Sequence, residues 1–316
     1  MFKKIKKPLL LTFISITGLF YFLKKGPEFA QILDLSLSNI MLASVVILFS
    51  YFFYGLKFKY LFHPFGISLA PREWFGLSMI LTLGNFIFFK AGTITAAVYI
   101  HRRYHLAYTK FITALTAERI FLLYAYSSVG IILCFIMDIP FKHQISAIIF
   151  FVFLLSTLSY ILFHFSFNPP KWKNRLGSIF EKILNAWITF KQYKSNSINL
   201  ILIQTIVILS WATRFYVAFN FIDFPISFSQ ATALSLSIFL TGLINLVPGG
   251  LGVREVTVGI AMSMMGVSFD FGIYAVTLDR IISTLWFIML GSFYLNYLHI
   301  KQFQKDSSII KPEPSF

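Results

Sequence analysis

Asn245-Leu246-Val247-Pro248-Gly249-Gly250-Leu251-Gly252-Val253-Arg254-Glu255 interrupts an apolar run that begins near Gln230. Pro248 lacks an N–H and clashes with the preceding turn, so a helix ends there. The glycines leave the backbone open to close approach. A new helix starting near Val253 would present its positive end to an anion, with Arg254 beside it as a bidentate donor. The short apolar piece that follows, Thr257–Val267, is too short to cross a hydrocarbon core about 30 Å thick. The bland alternative is a surface turn between two ordinary helices.

Outward from this break the chain is apolar almost throughout. Hydrophobic residues make up 57%, aromatic residues 19% and charged residues only 12%, against about 25% charged in soluble domains. Apolar segments recur at Pro8–Leu23, Asn39–Leu56, Phe111–Met137, Gln144–Phe165, Leu200–Ile222 and Phe271–Leu298. Trp74–Phe89 leads to a break at Lys90-Ala91-Gly92 and a short piece, Thr93–Ile100. The polar stretch 168–199 has an amphipathic middle and reads as a cytoplasmic surface linker. Lys24-Lys25 follows the first segment without a small-residue cleavage site, which favours an uncleaved anchor.

The net charge of +15 follows membrane topology rather than nucleic acid. With the N-terminus inside, the outer segments hold only Lys24, Lys25 and Lys142. The remaining loop lysines and arginines fall inside. Both termini are therefore expected in the cytoplasm, and the basic loops are expected to meet anionic lipid heads.

Phe65-Gly66-Ile67-Ser68-Leu69 is similar to Phe224-Pro225-Ile226-Ser227-Phe228, and Ser50-Tyr51 to Ser210-Trp211. The breaks near Gly92 and Gly252, and the pairs Glu118-Arg119 and Asp279-Arg280, keep the same offset of about 160 residues. The expectation is one transmembrane domain over 1–316, with a first repeat at 8–137 and a second, inverted, at 144–298. The fold class expected is an all-α polytopic membrane protein with about six full transmembrane helices and two re-entrant hairpins in an inverted-topology repeat.

Charges inside apolar segments are costly and face a cavity or a partner. The bases so placed are Lys90, Arg119, Arg214, Arg254 and Arg280, and the acids are Glu118, Glu255 and Asp279. Bases exceed acids, which leaves capacity for an anion. Adjacent residues on a helix point apart, so cross-pairing of Glu118 with Arg280 and of Asp279 with Arg119 is expected, in either a structural or a substrate role. Arg214 reads as a snorkelling side chain, and Asn85 and Asn245 as caps for freed backbone. Expected substrate contacts are Pro248, Gly249, Gly250, Gly252, Arg254, Glu255, Arg280 and Lys90. No metal-ligand spacing and no cofactor motif occurs, and Cys134 reads as packing.

Pro248-Gly249-Gly250-Leu251-Gly252-Val253-Arg254-Glu255 resembles the PGGLGxRE-type motif of a flippase-like membrane family related to the transmembrane part of lysylphosphatidylglycerol synthase. Ala117-Glu118-Arg119 resembles that family's first-half acid–arginine motif. The resemblance covers roughly residues 8–300. It implies a helical membrane fold, an inner-membrane location and movement of lipid between leaflets. The first break departs from the family pattern: in Phe88-Phe89-Lys90-Ala91-Gly92-Thr93 only the glycine matches. The chain ends near residue 316, so a soluble aminoacyl-transfer domain is not expected within it.

The function expected is a non-enzymatic lipid flippase or transporter for an anionic phospholipid or lipid-linked precursor. Its partners are membrane lipids, with a homo-oligomer or a separately encoded lipid-modifying enzyme as further candidates. The alternatives are a membrane transferase or phosphatase on a lipid-linked substrate, and an accessory subunit of a lipid or glycan assembly complex. The enzyme needs paired carboxylates, a metal cluster or a nucleophile–base set, none of which the sequence offers.

Overall fold

A computed structural model describes residues 35–137, 141–159, 177, 181, 188, 192–244 and 248–309. Pro8–Leu23, Asn245 and most of the 168–199 stretch lie outside them. The chain is all-α, with nine α-helices among the described residues. These are α1 (Leu37–Phe62), α2 (Pro71–Ile87), α3 (Ala91–Tyr104), α4 (Tyr108–Ile136), α5 (Phe141–Ser159), α6 (Lys194–Phe221), α7 (Phe228–Ile244), α8 (Val253–Met264) and α9 (Phe269–Ile309).

Among the described residues four helices are long and apolar enough to cross a membrane: Leu37–Phe65, Tyr108–Ile136, Ser195–Phe221 and Phe269–Leu298. This overturns the expected architecture of six spans and two re-entrant hairpins in an inverted repeat. The segment read at Gln144–Phe165 includes α5, with a described apolar stretch at Ala147–Leu158, and residues 160–165 lie outside the described residues. Thr93–Ile100 is no free-standing apolar piece. It belongs to α3, whose last turn carries His101, Arg102 and Arg103. The matching short piece in the second half, α8, has no basic residue in its last turn. The acid–arginine pairs also form unlike networks, described below.

Local signals set the helix ends. The Ser36 hydroxyl accepts the Asn39 N–H at 3.3 Å and caps α1. Pro64 and a left-handed Gly66 then stop that helix. Pro71 opens α2, where its missing N–H costs nothing. At α7 the Ser227 hydroxyl accepts the Gln230 N–H at 3.2 Å, and the Gln230 side chain accepts the Ser227 N–H at 2.8 Å. That reciprocal exchange is a capping box.

The residues cluster into two compact units. One comprises the chain up to Leu48, Phe86–Phe89 and Leu209–Leu285. In it, α8 and α9 touch backbone to backbone, because a side chain on Gly272 would meet the Cα of Gly259 at 2.9 Å. That approach sets Glu255 of α8 against Arg280 of α9.

The other unit comprises Phe49–Asn85, Lys90–Ile208 and the chain from Trp286. Its core is built from Phe58, Leu61, Phe62, Trp74, Leu77, Ile100 and Phe121. The α2–α3 pair is fastened at each end. Near its turn Gly84 leaves room for the Gly92 backbone, and Asn85 accepts the Thr93 N–H at 3.2 Å. At the far end buried Glu73 accepts from Tyr99 Oη (3.2 Å), Arg103 Nε (2.9 Å), Tyr104 Oη (2.6 Å) and the Ala70 N–H (3.2 Å). Four donors on one carboxylate offset the cost of burying its charge.

Candidate functional site

The start of α8 is where the sequence places its chemistry. Pro248–Gly250 forms a single 3-10 turn. Gly249, Gly250 and Gly252 hold φ of 63°, 63° and 79°, a region that favours glycine because it lacks a Cβ. Gly249 has a second reason to be glycine: a Cβ there would lie 2.8 Å from the Phe86 ring. The turn aims the Gly249 carbonyl at Arg280, whose Nη2 donates to it.

Around this turn three arginines and two carboxylates come together from α6, α8 and α9. Asp279 accepts Arg214 in bidentate fashion, Nε at 2.7 Å and Nη2 at 2.8 Å, and Arg254 Nη2 at 2.5 Å. Arg280 Nη1 donates to Glu255 Oε1. The Arg214 and Asp279 side chains are 1% and 2% exposed, Arg254 is 11%, and Glu255 and Arg280 are 15%. The Arg214 and Arg254 guanidiniums both lie over Trp211, 4.2 and 4.5 Å from its ring centroid. Such stacking suits a weakly hydrated planar cation. A small pocket with apolar walls from Ala43, Val46, Ile47, Val217, Ala218 and Leu278 ends on the Arg214–Asp279 pair.

Burying an ion costs several kcal/mol unless its partner and its hydrogen bonds are in place. Here the formal sum is one positive charge in excess. Among the described residues, Arg254 Nε and Glu255 Oε2 are buried without a partner.

Within its own unit each of the two acids Glu118 and Asp279 has close partners. Glu118 is held by Lys57 Nζ at 2.8 Å and Gln204 Nε2 at 3.2 Å, and Asp279 by Arg214 and Arg254. Arg119 folds back to 3.5 Å from its neighbour Glu118 while its side chain stays 56% exposed. A long flexible side chain can thus reach an adjacent residue that its Cβ does not face. Arg214 is no snorkelling side chain but the main partner of Asp279. Lys90 belongs to the other unit, where it is exposed and holds a left-handed φ of 58° ahead of α3.

Sequence reading missed Lys57, Glu73, Gln204 and Trp211. Lys57, a basic residue that the charge count groups with the loops, is 4% exposed within α1, its ammonium 3.5 Å from the Tyr54 ring centroid. The apolar residues that continue after it, Phe58, Leu61 and Phe62, were the available signal. Glu73 in the first turn after Pro71 also fits a helix start, though nothing local shows its buried partners.

Among the described residues no group of three His, Cys, Asp or Glu could hold a metal. What the cluster offers is donor-rich, desolvated charge suited to recognising an anion.

These features define a multi-pass integral membrane protein with a cationic cluster at a broken apolar segment. Residues 9–291 match the family described as the lysylphosphatidylglycerol synthase TM region, and the chain belongs to that family. No curated protein and no solved structure matches it.

Proposed function

We propose that the protein is a lipid transporter that moves an anionic phospholipid or lipid-linked precursor between leaflets. The headgroup sits at the start of α8, against Arg254, Arg280 and the Gly249–Gly252 backbone, and the acyl chains stay in the bilayer. The supporting observation is the excess of guanidinium over carboxylate at a buried site in an apolar chain. Membrane burial of such charge is costly, and its retention marks substrate paths. Family membership supports a lipid as the substrate class. In this reading the protein is not an enzyme, and the basic loops at Arg102 and Lys110 face the cytoplasm.

The test is transport of a labelled anionic phospholipid by the purified protein in liposomes. Arg254→Ala should reduce the rate by at least about tenfold, the loss of one charge-assisted hydrogen bond, with insertion unchanged. A wild-type rate would remove Arg254 from the function.

A second reading has its own support. Each of the five charged groups already touches an opposite charge, as expected of a subunit whose charges only hold helices together. Normal transport by the variant, or none by wild type, would favour it.

A further inference from the structure

We propose that Glu255 selects headgroups that carry a hydrogen-bond donor, a hydroxyl or an ammonium, beside their phosphate. The inference rests on the reading above, in which the headgroup occupies the arginine cluster.

The hydrogen-bond account of the cluster nearly closes. Both oxygens of Asp279 are engaged, by Arg214 and Arg254. Arg280 divides its guanidinium between Glu255 Oε1 and the Gly249 carbonyl. The buried side-chain atoms left without a partner among the described residues are one donor, Arg254 Nε, and one acceptor, Glu255 Oε2. These belong to consecutive residues in the first turn of α8. A buried charged group with an unmet hydrogen bond is costly, so a ligand that satisfies both atoms gains over one that satisfies one.

A plain phosphodiester is acceptor-only. It would satisfy Arg254 Nε and bring a second anion to Glu255 Oε2, which repels it. A phosphodiester bearing a hydroxyl or an ammonium satisfies both atoms at once. The arrangement therefore works by rejection as much as by attraction. Glu255 cannot turn its second oxygen away without releasing Arg280. Arg280 thus fixes which oxygen of the carboxylate faces the ligand, and acts as a positioning residue.

The test compares binding of phosphatidylglycerol, phosphatidylethanolamine and phosphatidylmethanol to the full chain in detergent, by native mass spectrometry with competing lipids. Phosphatidylglycerol offers hydroxyls, phosphatidylethanolamine an ammonium, and phosphatidylmethanol no donor. Wild type should favour at least one donor-bearing lipid over phosphatidylmethanol by at least about tenfold. Which one is favoured identifies the donor.

Glu255→Gln should erase that preference. Arg280 still requires an acceptor, which leaves the amide nitrogen, a donor, facing the ligand. Equal binding of all three lipids to wild type overturns the proposal, and so does a preference that survives in Glu255→Gln. If Glu255→Gln does not fold, the comparison of lipids on wild type decides alone. Arg254→Ala separates this inference from the transport reading. Loss of all lipid binding in that variant, with no discrimination in wild type, leaves the anion site standing and removes only the selection by Glu255. Unchanged binding in Arg254→Ala removes the site itself.

Discussion

Asp279 holds two guanidiniums, and the consequences of removing it differ from those of removing the whole network. Asp279→Ala strands Arg214 and Arg254 in a buried place, and one-sided breaking of a buried pair costs about 3–5 kcal/mol. The variant should lose stability by that order in a thermal or detergent-resistance assay. The combined replacement Arg214→Met with Asp279→Leu removes charge and counter-charge together, so it should cost clearly less. A double variant as damaged as the single one would show that shape, not charge, dominates there. Gly249 is constrained twice, by its φ of 63° and by the Phe86 ring. Gly249→Ala should therefore destabilise by more than about 1 kcal/mol, and trimming Phe86 to alanine should recover the steric part only. The identity of the glycine motif was readable from its residues. The carbonyl it aims at Arg280 was not, because that contact joins residues far apart in sequence.

Among the elements, the α2–α3 pair depends on Glu73. Burial, the Glu73 hydrogen bond and the Glu73 charge push the Tyr104 hydroxyl up to about 12 from its ordinary 10.0. An unfolded Tyr104 thus releases its proton before the folded one does. Between those two values the unfolded chain holds fewer protons, so stability falls as pH rises. Tyr104→Phe should flatten that alkaline loss in a melting series from pH 9 to 12; an unchanged slope would assign the loss to other groups. Helix beginnings were largely legible, since Pro71 and the Ser227–Gln230 box act over a single turn. Helix lengths were less so. Hydropathy made a separate piece of Thr93–Ile100, whereas the helix formed is α3, which continues into a basic last turn. Apolar character measures where a segment is comfortable, and helix length also depends on caps and packing.

At the scale of the whole molecule, the charge bias of the loops makes a topological prediction. With Cys134→Ser as background, Arg102→Cys, an exposed site, should be labelled by an impermeant maleimide only from the cytoplasmic side. Labelling from the other side would refute the proposed orientation. The sequence by itself determined that this is an all-α membrane protein and that its helices break at Pro248–Gly250 beside Arg254 and Glu255. Both follow from composition and local backbone rules, which act within a few residues. Only the tertiary structure decided that Arg214 and Arg254 hold Asp279, that Lys57 holds Glu118, and that Arg280 holds Glu255. Pairings between buried charges are chosen by which helix faces meet, and one-dimensional spacing carries no record of that.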